Sequence, residues 1–294
     1  MKRLAPGSAG PCGMCCPDLP DEQETLVNPH YPAAEATVEA ITACAQLEPA
    51  ERQMLAEDDF GLYFSCVWPL TGRDELCDRI PFFLLTVLRD DRLDQGDTHG
   101  AAALDTPIRR ELERVLATLP ADSAQRIMQA ATAEAGLVRT PVDSFASLDA
   151  YLEYQRRCDG WRLAAELAAA GAGRTYGPLL NVPEAQEFLR LNAALTRLVN
   201  DILGAPREMS QKGDRTNAVI LQQRLTRCTP QQALDACLEM YHGMRERYGR
   251  AREDISSQEG FEQMCTDLHL LYSGSLFMTK RLLRYRRSWM GTAQ

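Results

Sequence analysis

No apolar run in the 294-residue chain approaches the roughly 18 residues of a membrane span. Its first residues, MKRLAPGSAGPCGMCCPDLPDEQE, lack the apolar core of a secretory signal. Both absences set the expectation of a cytoplasmic protein. Basic residues are outnumbered, 32 Lys and Arg against 41 Asp and Glu, for a formal net charge of −9. Binding a nucleic-acid backbone draws on excess Lys and Arg, so that partner is disfavoured, although a local basic pocket for a small anion is not. Strand signals are scarce: alternating β-branched runs are few, and no Asn-Gly pair separates them. No repeat recurs at a fixed period. The histidines number only four, and His99, His242 and His269 show no triad or metal spacing, which leaves them surface or core roles. Ten cysteines are spread through a long chain rather than crowded into a disulfide framework. Only Cys12, Cys15 and Cys16 cluster. Zinc there needs a fourth ligand, with His30 the nearest, and reduced thiols are the default.

What the chain has in abundance is helical periodicity. It runs over about 34–47, 50–65, 73–93, 106–118, 121–137, 147–171, 183–207, 230–252 and 257–288. Pro120–Ala121, Thr140–Pro141, Gly171–Gly173 and Thr229–Pro230 punctuate it. The pattern predicts one all-α domain over residues 30–290, preceded by a mobile tail, 1–29. Helices apolar on several faces, such as the one ending near Asp90, belong inside.

That helix ends in LRDDRLDQGD, with Asp90, Asp91, Asp94 and Asp97 directly after IPFFLLTVL. Like charges at i,i+4 each cost a few tenths of a kcal/mol. Either water dissolves that cost at a frayed terminus, or a cation sits there. A second acidic element, NDILGAPRE, places Asn200, Gly204 and Glu208 at i, i+4 and i+8 on one helical face. An amide oxygen, a gap and a carboxylate on one stripe suit a hard divalent ion, with water completing the set. Asp201 could orient Asn200. The competing reading is a polar surface stripe. Asn, Asp and Gly are poor helix-interior residues, though, and Leu195, Leu198 and Val199 beside them indicate a packed helix. Magnesium held by few carboxylates takes further oxygens from phosphate, and basic partners for such an anion occur in YQRRCDGWR (154–162) and KRLLRYRR (280–287).

With these elements in this order, the chain resembles the class I terpene synthases of bacteria and fungi. DDRLD (90–94) is similar to their aspartate-rich motif and NDILGAPRE (200–208) to their second metal motif. RRCDG (156–160) resembles their diphosphate-sensor segment, and Arg284-Tyr285 their C-terminal Arg-Tyr pair. The resemblance spans about residues 55–289. It implies the α-helical terpenoid fold, a helical bundle around a central pocket, and cyclisation of a linear prenyl diphosphate. Farnesyl diphosphate is favoured by family base rate. Metal ligands would be Asp90, Asp94, Asn200, Gly204 (through water) and Glu208, holding Mg2+, three ions with bound diphosphate. Arg156, with Asp159 and Gly160, would sense the diphosphate, and Arg284 and Tyr285 would bind it. Arg157 stays open as the alternative sensor, and Lys280 or Arg281 as further contacts. The short interval from Asp94 to Arg156 is nearer the trichodiene synthase-like branch.

For the carbocation, aromatic walls contribute roughly 0.5–2 kcal/mol each. Phe83, seven residues before Asp90, is offset by about −20° and lies about 10 Å deeper; Phe82 is offset by about 80°. Phe83 is therefore expected at the pocket and Phe82 in packing. Trp161, Phe277, Tyr63, Phe64 and Trp68 are further candidates that also suit plain core roles. Two rival readings remain: a chain-elongating prenyl diphosphate synthase, whose second motif would be another DDxxD, and a non-catalytic helical binding protein. Monomer and homodimer are both open.

Overall fold

The computed structural model describes residues 13–20, 25–44, 47–135, 140, 142–158, 160–177, 179–210 and 216–290. Every extended element among them is helical: α1 (Tyr31–Cys44), α2 (Pro49–Glu57), α3 (Phe60–Val67), α4 (Arg73–Asp94), α5 (Thr98–Ala103), α6 (Asp105–Ala117) and α7 (Ala121–Ala135). There follow α8 (Leu148–Cys158), α9 (Trp161–Gly171), α10 (Pro183–Ser210), α11 (Ala218–Thr226), α12 (Pro230–Ser256), α13 (Glu262–Thr279) and α14 (Leu283–Met290). None is long and apolar enough to cross a membrane.

Local chemistry accounts for the boundaries. Thr229 and Gln232 form a reciprocal capping box ahead of Pro230 at the start of α12. The expected helices 50–65, 147–171 and 257–288 each divide in two. Asp59 spends its carboxylate on the N–H of Leu62, which starts α3 afresh. Gly160 turns into the left-handed region at φ +71°, breaking α8 from α9. Residues 280–282 turn the chain from α13 into α14. The unforeseen helices α5 and α11 start at caps of their own, Asp97 and Asn217.

Contacts run α3–α4–α6–α7–α9–α8–α10–α13 and back to α3, closing a ring. The indole N–H of Trp68 donates to the Ala164 carbonyl across the α9 side, 3.4 Å away. At Gly274 a Cβ would fall 2.0 Å from the Cys66 carbonyl oxygen, so the closest approach of α3 and α13 requires glycine. Of the mobile tail expected over 1–29, only residues 13–20 and 25–29 are among those described. Met14, Cys16 and Leu19 are buried in the main core, because three apolar side chains here gain more from burial than the strand loses in freedom. Cys15 is exposed, burial pushes the Cys16 thiol up to about 11, and Cys12 lies outside the described residues.

Candidate active site

The apolar part of α4 carries Leu84 and Leu88 fully into the core, which leaves its acidic end at the rim. There Asp91 pairs with the Arg284 guanidinium, and Arg207 Nη1 lies 3.7 Å away. Asp90, the expected metal ligand, is exposed at the same helix end. The side chain of Asp94 lies outside the described residues. Arg92 forks onto both carboxylate oxygens of Glu51, at 2.6 and 2.9 Å, and so fixes this helix end against α2.

On α10 the predicted stripe is realised. Asn200 Nδ2 donates to the Tyr285 hydroxyl at 2.6 Å, which leaves the amide oxygen as its acceptor. Glu208 is buried. Its Oε2 accepts from Asn217 Nδ2 at 3.0 Å, and Oε1 lies 3.8 Å from Arg207 Nη2. Burial, then Asp201, push the Glu208 carboxyl above its usual range against the pull of Arg207, Arg197 and Asn217. A Cβ at Gly204 would stand 2.8 Å from Glu208 Oε1 and 3.6 Å from the Tyr285 ring. The missing side chain thus keeps a gap between Asn200 and Glu208.

That gap, an amide oxygen and a carboxylate oxygen fit a hard divalent cation. No three His, Cys, Asp or Glu side chains gather into a metal cage among the described residues. An ion here therefore draws its remaining oxygens from water and from a ligand, as magnesium prefers.

Asp201 plays a different part from the one expected. Instead of orienting Asn200, its fully buried carboxylate accepts from the Tyr151 hydroxyl (2.7 Å) and the Ala218 N–H (3.0 Å), and pairs with Arg197 (2.8 Å). It binds α8 and α11 to α10, and Asn217, also donating to the Asp201 carbonyl, carries that order to Glu208.

Arg284 and Tyr285, in the first turn of α14, reach both α4 and α10, Arg284 to Asp91 and Tyr285 to Asn200. Trp289, fully buried, adds a 2.9 Å bond to the Leu203 carbonyl. Burial opposes the Arg284 cation, but Asp91, Tyr285 and Asp58 outweigh it and raise its pKa above the ordinary guanidinium value. Arg207 lies over the Tyr285 ring at 5.8 Å and Arg284 at 5.7 Å. Sequence reasoning missed Arg207 and Asn217, and passed over Asp91 in favour of its neighbours Asp90 and Asp94. The signal for Arg207 was its place directly before Glu208 inside a motif already singled out.

Arg156 pairs with Glu153 at 2.8 Å and lines, with Asp149, Arg190 and Arg247, a cleft of about 360 Å³. Arg157 is exposed, and Asp159 lies outside the described residues. Lys280 donates to the Leu19 carbonyl, and the Arg281 guanidinium sits 3.4 Å from the centre of the Phe277 ring, covering one of its faces. Trp161 is buried, its indole N–H on Asn192 at 2.9 Å.

An aromatic cluster joins α3 to α4. Burial raises the Tyr63 pKa, and the Ser275 hydroxyl, 3.4 Å from the phenol oxygen, pulls it back. Phe64 stacks on Trp68 at 5.7 Å, and Phe83 meets Trp68 edge-on at 4.7 Å. Phe83 is only partly buried, whereas Phe82 is buried with Leu112, Val115, Ile127, Leu163 and Leu167. Phe83→Leu is expected to shift the volatile products toward acyclic or earlier-quenched terpenes. Phe82→Leu should instead cost about 1–2 kcal/mol of stability with the product profile kept. Product profiles at matched folded fraction check both, and a changed profile for Phe82→Leu alone would reverse the assignment.

Residues 108–247 match terpene synthase family 2, C-terminal metal binding. That stretch includes NDILGAPRE and RRCDG. No curated protein matches the chain in sequence. Among solved structures, α-eudesmol synthase is 16% identical, with a TM-score of 0.69 over 90% of this chain and 98% of its own. Aristolochene synthase from Penicillium roqueforti is 15% identical, with a TM-score of 0.70 over 90% of this chain and 99% of its own. Hedycaryol synthase in complex with nerolidol is 19% identical, with a TM-score of 0.66 over 90% and 99%. Residues 108–247 are thus similar to the metal-binding region of the terpene synthases, and the chain shares the all-α fold of these solved structures. The family match ends before α13 and α14, so the Arg284-Tyr285 contribution rests on the geometry above.

Proposed function

We propose that this protein is a class I terpene synthase that ionises farnesyl diphosphate and cyclises the resulting carbocation to a sesquiterpene, releasing diphosphate. The observation that carries the reading is the junction of α4, α10 and α14: Arg284, Arg207 and Tyr285 converge with Asp91, Asn200 and Glu208. Breaking the allylic C–O bond leaves its electron pair on the diphosphate, so the site must hold growing negative charge in a dry setting. Arg284 and Arg207 present planar forks to those oxygens, and the Tyr285 hydroxyl adds a donor. Asn200 and Glu208, with Asp90 and Asp94 from the facing helix, would hold magnesium, three ions with bound diphosphate. Magnesium supplies Lewis-acid stabilisation of the leaving group. Phe83, Phe64 and Trp68 face the cation with rings that do not react and keep water away. The functions of the matched structures, eudesmol, hedycaryol and aristolochene synthases, support sesquiterpene chemistry by likeness of fold. A chain-elongating synthase is disfavoured because NDILGAPRE stands where its second DDxxD would be.

The test is incubation of the purified protein with C10, C15 and C20 prenyl diphosphates, with and without magnesium. The expected result is a cyclic C15 volatile and released diphosphate, both abolished by EDTA and restored by added magnesium. Undiminished turnover in chelator would remove the metal assignment, and absence of any volatile from all three substrates would remove the reading.

A further inference from the structure

α2 packs on α1, outside the ring, yet its residues and the Asp58 that follows reach both charged elements of the rim. Glu51 holds Arg92 inside DDRLD, and Glu57 pairs with Arg287 on α14. Asp58 is buried, and its Oδ1 accepts from the backbone N–H of Leu283 and, at 3.2 Å, of Arg284. Those two groups open α14 and have no acceptor within their own helix. Asp58 Oδ2 has no partner among the described residues, so the side chain is committed to this one contact. An eight-residue helix is too short to hold itself in water, so tertiary contacts decide where α14 begins. The backbone that Asp58 fixes is the backbone that carries Arg284 and Tyr285.

We propose that Asp58 is a positioning residue for diphosphate capture: by holding the first N–H groups of α14 it sets the reach of Arg284. The proposal rests on the terpene synthase function above. Asp58 does not touch the diphosphate, and its influence passes through Arg284.

The experiment titrates the full-length protein with inorganic diphosphate plus magnesium by calorimetry, alongside circular dichroism and the KM for farnesyl diphosphate. Asp58→Ala should weaken diphosphate affinity about 10-fold and raise KM comparably, the loss of a well-placed helix cap. Asp58→Asn, which keeps an acceptor oxygen but not the charge, should weaken it about 2- to 5-fold. In an Arg284→Ala background either change should alter affinity less than about 2-fold, because the residue it acts through is gone. Should Asp58→Ala not fold, the Asn variant carries the same cycle. Unchanged affinity in the folded variants, or an equal loss in both backgrounds, overturns the proposal. Failure of the wild type to bind magnesium diphosphate is a separate outcome, which overturns the functional reading and this proposal with it.

Discussion

Glu208→Gln is expected to lower turnover on the order of 10³-fold while leaving the ligand-free protein as stable or more stable. The two effects have opposite causes. Burial disfavours the Glu208 charge, so a neutral side chain of the same shape relieves the folded state, and Asn217 can still donate to its oxygen. At the other oxygen, beside the gap at Gly204, the amide offers a donor or a weaker acceptor where a cation needs an anionic ligand. Asn200→Ala should lose turnover on a similar scale and also frees the Tyr285 hydroxyl. Diphosphate-release kinetics and calorimetric melting, read together, check both variants. Wild-type turnover in Glu208→Gln would return NDILGAPRE to a structural polar stripe.

Arg284→Ala should reduce turnover about 10²- to 10³-fold and weaken magnesium-dependent diphosphate binding. It removes the closest cation from Asp91 and leaves Arg207, at 3.7 Å, as its ion partner among the described residues. Breaking a partly buried pair also costs roughly 1–3 kcal/mol of stability, so rates must be compared at equal folded fraction. Arg284→Lys should recover only part of the loss, since an ammonium keeps the charge but not the fork. Arg156→Ala is the informative control. Its pair with Glu153 is half-exposed and worth at most about 1 kcal/mol, so stability should hardly change. A diphosphate-binding loss matching that of Arg284→Ala would show that Arg156 leaves Glu153 to meet the ligand. A small one would leave Arg207 and Arg284 as the principal cations.

The legible parts of the site were those confined to one helix. Asn200, Gly204 and Glu208 share a face because four residues advance a helix by little more than one turn, whatever packs around it. The separation of Phe82 from Phe83 follows the same arithmetic, and the structure places Phe82 in a packed cluster and Phe83 against Trp68. Helix breaks were harder to read. Asp58 and Asp59 look like ordinary surface acids in a helical pattern, and their use as caps becomes visible only once Leu62, Leu283 and Arg284 are placed.

By itself, then, the sequence determined an all-α chain without strand signals, the oxygen-bearing stripe on α10, and the order of acidic and basic motifs that carries the family resemblance. The tertiary structure alone decided that Asp91 meets Arg284, that Arg207 joins them, that Asp201 braces α8 and α11, and that Arg156 pairs with Glu153. The first set depends on spacing within one helix, where 3.6 residues per turn governs. The second depends on how each helix is rotated against its neighbours, and that rotation is set by side-chain packing between segments as far apart as Asp91 and Arg284.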